Sequence, residues 1–511
     1  PEFLTKFARQ RPPISANMCV NQNIHESRKE GLMTTQCGGE KMEFQDLGSR
    51  RVEGQFDGGI ITSDGGGLLL REIEEKYALI LQFAECFQDH RDPDKTEHSV
   101  RELLAQRIVG LCEGYEDLND HEELRKDPLL ATVVGKEDPT GQDRPRERDK
   151  GKPLAGKSTL NRLELTGQEL DPVEERYKKI SAKWEEIRRF FIEIFLQTSQ
   201  QVGERIVLDL DGSDDPLHGD QLGKFFQGYY DHYCYYPLFI FCGKHLLAAR
   251  LRRSNVGDTE GALDELEMII PRLQEQWPDK EILLRGDSGF STDELMSWCE
   301  QHGVLYAFGQ GSNSRLKEKV SQERWDAEAA YEECALPTRF YRSFSYRTLQ
   351  SWSRSRRVVG KAEYLPDGPN CRFVVTNVPA FQMDAQTLYE EIYSDRGRAE
   401  NRIKEHQTQL FSTRTSTHWM ESNQMRLWLS SVAYTMMNLL REKGLARTEL
   451  EGAYPGTIRE RLLKVAAEVK VSVRRVAVSF ASSYPFQRLF RKVFRQIRRL
   501  DPRPRPRPAP A

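Results

Sequence analysis

Four carboxylates carry the chemistry this sequence offers. Asp209 and Asp211 alternate along Ile206-Val207-Leu208-Asp209-Leu210-Asp211, an apolar run that reads as a buried strand, so both fall on one side of it. Asp287 closes a later apolar run, Leu283-Leu284-Arg285-Gly286-Asp287. Glu400 lies in a helical stretch, Tyr393-Ser394-Asp395-Arg396-Gly397-Arg398-Ala399-Glu400-Asn401. An isolated charge inside an apolar strand is costly to bury. Asp209 and Asp211 therefore have either a turn to cap or a cation to hold. Hard ions such as Mg2+ draw oxygen ligands from separate elements. Two such ions about 3.5–4 Å apart activate a water or a 3′-hydroxyl and stabilise the leaving oxygen in phosphodiester cleavage.

Other motifs carry less. Gly151-Lys152-Pro153-Leu154-Ala155-Gly156-Lys157-Ser158 satisfies a nucleotide-binding pattern that works only as a loop between a buried strand and a helix. The residues before it, 142–150, are too polar for that strand, so no ATP is expected; the plain reading is a solvated helix start capped by Ser158. Asp209-x-Asp211-x-Ser213 begins like a calcium loop, but Asp214 stands where that loop needs glycine. His218 and His232 lack partners at zinc-ligand spacing. Tyr229, Tyr230, Tyr233, Tyr235 and Tyr236 read as strand packing. Tyr346 and Trp352 fit either sheet packing or stacking on an extruded base. The tail, residues 485–511, holds nine basic residues, among them Arg488, Arg491 and Lys492, against one acid, Asp501. It predicts a phosphate-binding arm whose helix has Phe490, Val493, Phe494 and Ile497 as its apolar stripe. The Arg-Pro repeat after Pro502 is low complexity.

These side chains need a scaffold. Of 511 residues, 30% are charged and 38% hydrophobic, and no apolar run approaches the ~18 residues of a membrane span. Twenty-four Phe, 18 Tyr and 7 Trp, spread throughout, exclude wholesale disorder. Nine cysteines without a Cys-x-x-Cys pair signal neither a zinc ribbon nor a disulfide framework. With no apolar signal segment, that usage predicts a reducing, cytoplasmic setting. Net charge is −3, so the basic tail contrasts with a slightly acidic body.

Residues 1–55 read as an irregular N-terminal extension. Residues 56–200 read as mainly helical, with Val100, Leu103, Leu104, Ile108 and Leu111 on one helix face and a polar linker at 135–153. From 201 to 309 come strands at 206–211, 236–242, 245–251, 281–285 and 304–308, with helices at 261–276 and 292–301. A β-rich insertion, 310–380, interrupts the alternation. Long helices return at 385–409 and 421–442, within a closing segment 381–442, before a helical, basic C-terminal region, 443–511. Three antiparallel strands, helix, strand, helix, strand, insertion and helix form the order of an α/β, ribonuclease-H-like core.

The stretch 208–219, the block Arg285-Gly286-Asp287-Ser288-Gly289-Phe290 and the Glu400 helix together resemble bacterial insertion-sequence transposases of the DDE type. In that branch the third acid sits in a Tyr-(2)-Arg-(3)-Glu-(6)-Lys signature. The resemblance runs from Phe56-Asp57-Gly58-Gly59 through 114–121 to about Glu442. It implies Asp211, Asp287 and Glu400 as a catalytic triad holding two Mg2+ ions, which Mn2+ can replace, with Asp209 as an outlying helper. Tyr393 and Arg396 would hold a phosphate beside the scissile bond. Gln407 stands where the signature has lysine, and Lys404, on the same face, is the substitute. Lys157 and Arg162 become candidate DNA contacts, residues 56–200 a DNA-binding region, and 201–309 with 381–442 the catalytic domain. The implied partners are DNA, as terminal inverted repeats and as target, and a second copy of the chain in a homodimer, with no membrane and no ATP. The implied place of action is the cytoplasm, at the nucleoid. Two alternatives stay open: a nuclease on the same core that cuts without joining, and an inactive DNA-binding relic.

Overall fold

The computed structural model describes residues 41–165, 178–199 and 203–501; the Arg-Pro repeat and residues 1–40 lie outside them. The chain divides into two units at Gly58/Gly59. In the first, β1 (Met42–Leu47) and β2 (Arg50–Gly54) pair antiparallel, with Phe44 opposite Val52. Part of the stretch expected to be irregular is thus a hairpin, held by an aromatic–β-branched cross-strand pair.

The second unit is built on a mixed eight-stranded sheet. Its strands are β3 (Arg205–Gly212), β4 (Leu238–Cys242), β5 (His245–Arg250), β6 (Glu281–Gly286), β7 (Leu305–Gln310), β8 (Arg339–Tyr346), β9 (Arg356–Leu365) and β10 (Gly368–Thr376). They lie in the order β5-β4-β3-β6-β7-β10-β9-β8. β3, β6 and β7 run parallel and the remaining neighbours antiparallel. On β3, Ile206, Leu208 and Leu210 enter a core shared with the helices Trp184–Thr198 and Ala262–Gln276. Strand alternation then turns Asp209 and Asp211 to the opposite face.

The β-rich insertion extends this sheet: β10 pairs with β7 through Ala307↔Thr376 and Phe308↔Val375. It also carries two helices, Ser314–Lys319 and Ser321–Cys334. β9 is hard to read in sequence because its alternation is broken by charge. Those charges are matched in the fold, as where Arg356 donates to Asp293 at 2.6 Å and to Glu300 at 2.9 Å.

The other large core is helical. The helix Val100–Glu113 opens on a Ser99/Glu102 capping box and packs on Met420–Leu439, where the Cys112 thiol donates to the Ala433 carbonyl at 3.6 Å. Glu164, fully buried, accepts from Arg107 at 2.6 Å and Arg426 at 2.8 Å, tying three helices together. The C-terminal region is not wholly helical. Strands Ala467–Ser472 and Arg475–Phe480 pair antiparallel, and the first also pairs with Ile61–Thr62. The period-two placement of Val469 with Val471, and of Val476 with Val478, explains them. The closing helix, Gln487–Arg498, buries Leu489, Val493 and Ile497 at i, i+4 and i+8. Phe494 is exposed and Phe490 half-buried, so the expected stripe is rotated toward Leu489. Among the described residues no helix is long and apolar enough to cross a membrane.

Candidate active site

The C-terminal ends of the parallel strands β3 and β6 lie side by side, a usual place for chemistry in open α/β sheets. Asp211 sits near the end of β3, 8% exposed. Asp287 follows β6 directly, and its carboxylate caps the next turn by accepting from the Gly289 N–H at 2.9 Å. Over this face runs one helical stretch of changing pitch: π over Leu388–Tyr393, 3-10 over Ser394–Arg396, α over Gly397–Lys404 and π over Glu405–Gln409. Non-α turns of this kind recur at functional sites.

Arg396 joins the parts. Its guanidinium lies 3.8 Å from Asp211 and 3.6 Å from Glu400. Burial opposes its charge, but Asp211, Tyr393, Asp287 and Glu400 outweigh that and hold it firmly protonated. Burial pushes the Asp211 carboxyl up to about 7; Arg396 pulls it down, and Asp287 and Glu400 raise it further. Burial likewise raises Asp287, and so do the charges of Asp258 and Glu400. Asp211 thus feels the charge of two further acids carried by two other elements. Tyr393 reaches the same place over Gly309, where a Cβ would lie 2.6 Å from the phenol oxygen.

Asp209 does a different job from Asp211. It is 3% exposed and takes two bonds from Arg285, at 2.6 and 2.8 Å. Arg285 also donates to the Ile392 carbonyl at 2.8 Å, directly before Tyr393. The pair therefore clamps the helical stretch onto the sheet. Gln407 is a second clamp, donating to Ser213 Oγ at 3.0 Å and the Asp214 carbonyl at 2.9 Å. Where the signature would place a cation, this chain thus has a tie to the loop after Asp211. Lys404 is exposed, one turn beyond Glu400.

Beside these acids opens a cavity of about 700 Å³, lined by Asp287, Tyr393 and Arg396 and by three cations, Lys317, Lys361 and Arg372. The sequence reading missed Arg285 and these three. A lysine in the apolar run of β9 and an arginine inside β6 were the available signals.

The remaining sequence candidates lie on other elements. Lys157 and Arg162 are on the exposed side of the helix Lys157–Glu164, where Lys157 donates to Asn119 at 3.1 Å. No strand leads into that helix, so the nucleotide-loop context is absent among the described residues. Its cap position is Gly156, not Ser158, and Glu122 accepts from the Lys157 N–H at 2.9 Å. Arg488, Arg491 and Lys492 lie on the exposed face of the helix Gln487–Arg498, with Lys492 donating to the Arg447 carbonyl. Tyr346 and Trp352 are buried against each other, which favours packing over base stacking. Of the tyrosine cluster, Tyr235 and Tyr236 are core, but Tyr229 and Tyr233 are exposed.

The all-oxygen donor set suits a hard divalent cation. Asp211 supports that fit, being a buried carboxylate whose nearest cation is 3.8 Å away. Among the described residues, no three acidic, His or Cys side chains lie at ligand distance around one point.

Over 88% of its length the chain can be laid on a piggyBac transposase, seen by cryo-EM in a synaptic complex with hairpin DNA. The match covers 87% of that chain, with 12% identity and a TM-score of 0.38. No curated protein matches the sequence. Residues 44–502 match the family model described as transposase DDE domain group 1, and the chain belongs to that family.

Proposed function

We propose that this chain is the transposase of a bacterial insertion sequence. It would bind the element's terminal inverted repeats, pair them as a homodimer, cut, and join the exposed 3′-hydroxyl to target DNA. The observation that carries the reading is the meeting of Asp211, Asp287 and Glu400 around Arg396 at one end of the sheet. The strand order β5-β4-β3-β6-β7 supports a ribonuclease-H-like core beneath them. Residues 56–200 would serve as the DNA-binding region, 201–309 and 381–442 as the catalytic domain, 310–380 as its insertion and 443–511 as a basic end.

Asp211, Asp287 and Glu400 would hold two Mg2+ or Mn2+ ions, which when bound supply charge stabilisation and nucleophile activation at the scissile phosphate. The chain's own residues do the positioning. A phosphate offers Arg396 a close anionic partner in place of two long carboxylate contacts. Tyr393 donates from its perch over Gly309, and Lys404 adds charge one turn beyond Glu400. Lys317 and Arg372 give the adjoining cavity the sign needed for the next phosphates, while Lys361 in its wall is paired with Glu363. Asp209 acts through Arg285, keeping Tyr393 and Arg396 in register with the strand ends. Lys157, Arg162, Arg488, Arg491 and Lys492 would contact the DNA backbone away from the cut.

The test is a cleavage and strand-transfer assay on labelled DNA carrying the element's ends, with Mg2+ or Mn2+. Wild type is compared with Glu400→Gln and Asp287→Asn. Metal-dependent joined products, lost in both variants while DNA binding survives, are expected. Cleavage without joining would point to a nuclease instead. Binding with no chemistry in wild type would point to a relic.

A further inference from the structure

The segment after Asp211 does something the triad does not require. Strand Phe225–Gln227 pairs with His232–Tyr235 through a tight turn, making a hairpin that leaves aromatic rings in solvent. Tyr229 is 87% exposed, Phe226 53% and Tyr233 52%. Exposed aromatic surface of this kind marks an interaction site.

Its position says what it meets. Tyr236 lies against Gly212, the residue after Asp211, so closely that a Cβ there would be 2.5 Å from the ring. Tyr230 follows at 6.3 Å between ring centroids, and Tyr229 at 4.9 Å from Tyr230. Rings therefore lead without a gap from the strand end bearing Asp211 out into solvent. Phe226 and Tyr233 form a second exposed pair, 5.5 Å apart, with the Lys224 ammonium 5.8 Å above Tyr233. The Lys224 ammonium is already held by Asp220 at 3.3 Å, so what the hairpin offers is exposed π-faces, on which unpaired nucleobases stack.

We propose that the hairpin Phe225–Tyr235 is a stacking platform for unpaired bases next to the phosphate being cut, with Tyr229 as its outer ring. This rests on reading Asp211 and its neighbours as a DNA-processing site. The platform holds the strand end in register with Asp211 and tells a frayed end from a closed duplex. Stacking on rings tolerates any base, so the preference is for unpaired structure, not for sequence.

The test uses the full chain in EDTA at one fixed salt concentration. The probes are a duplex with a short unpaired end carrying 2-aminopurine, and the blunt duplex of the same sequence. Wild type is expected to prefer the unpaired end and to quench the probe. Tyr229→Ala should lose about tenfold of that preference, and Tyr229→Phe, which keeps the ring, should retain it. An unchanged preference in Tyr229→Ala would overturn the proposal, as would an equal loss on the blunt duplex. So would a change in self-association with the preference intact, which would make the hairpin a protein interface. Because no cutting is needed, the two readings fail separately. Triad-dependent joining with Tyr229-independent binding removes only the platform. A Tyr229-dependent preference in a chain that cuts nothing removes only the transposase reading.

Discussion

In Asp211, burial and the repulsion of two neighbouring carboxylates act in the same direction. The folded chain keeps its proton up to about pH 7, whereas an unfolded aspartate releases it near 3.8. Between those values the folded state binds more protons, so this group favours folding at low pH and loses that contribution as pH rises to 7. The full swing is on the order of 4 kcal/mol, at 1.36 kcal/mol per unit. Asp211→Asn should therefore raise Tm at pH 8 in EDTA and flatten the stability–pH curve between pH 4 and 7. A divalent cation favours the ionised form, so Mg2+ at pH 8 should raise the Tm of wild type and not of the variant. Thermal melts of both proteins across pH, with EDTA and with Mg2+, check this; a variant that melts like wild type would refute it. The sequence showed this residue because a charge inside an apolar strand is an anomaly that needs a reason. Alternation alone places Asp209 on the same face and does not separate the two; the family motif does, by setting Asp211 in the triad and Asp209 outside it. The partners show what each does instead: Arg285 closes on Asp209, and Arg396 stays at arm's length from Asp211.

Between elements, the placement of Tyr393, Arg396 and Glu400 depends on a clamp. Arg285 of β6 holds Asp209 of β3 and the Ile392 carbonyl of the helical stretch at once. Removing one partner of a buried pair leaves a charge uncompensated and costs about 3–5 kcal/mol. Arg285→Ala should be destabilised by that amount in urea unfolding, and Asp209→Ala/Arg285→Ala by distinctly less, because no buried charge remains. Single and double variants of equal stability would contradict the clamp. If the clamp positions the site, the double variant should fold and still bind DNA yet join strands slowly. The strands were legible here because apolar runs, glycines and turns agree. The helix was legible as helix but not in its pitch. A spacing of i, i+3 and i+7 assumes a regular α-helix, while the chain passes from π to 3-10 to α at the residues concerned. β9 escaped notice because its charges are matched by side chains distant in sequence, Asp293 and Glu300 among them.

Over the whole molecule, charge is arranged by place, since a net −3 coexists with a strongly basic end. In the helix Gln487–Arg498, Leu489, Val493 and Ile497 anchor the element while Arg488, Arg491 and Lys492 stay exposed. Folding therefore needs one face of this helix and leaves the other available to phosphate. Neutralising a phosphate contact lowers the slope of log affinity against log salt by about 0.9 per contact on duplex DNA. Arg488→Ala/Arg491→Ala/Lys492→Ala should reduce that slope by up to about 3 on any duplex and lower Tm only by what the Lys492 bond to the Arg447 carbonyl contributes, because the apolar anchoring face is untouched. Tyr229→Ala, by contrast, should leave the slope unchanged and alter only the preference for unpaired ends. Titrations of both variants over a range of salt concentrations separate the two surfaces. A triple variant with the wild-type slope would show that the basic face meets something other than DNA. The exposed charge would then be a matter of solubility, and DNA would be held by the sheet end and its cavity alone.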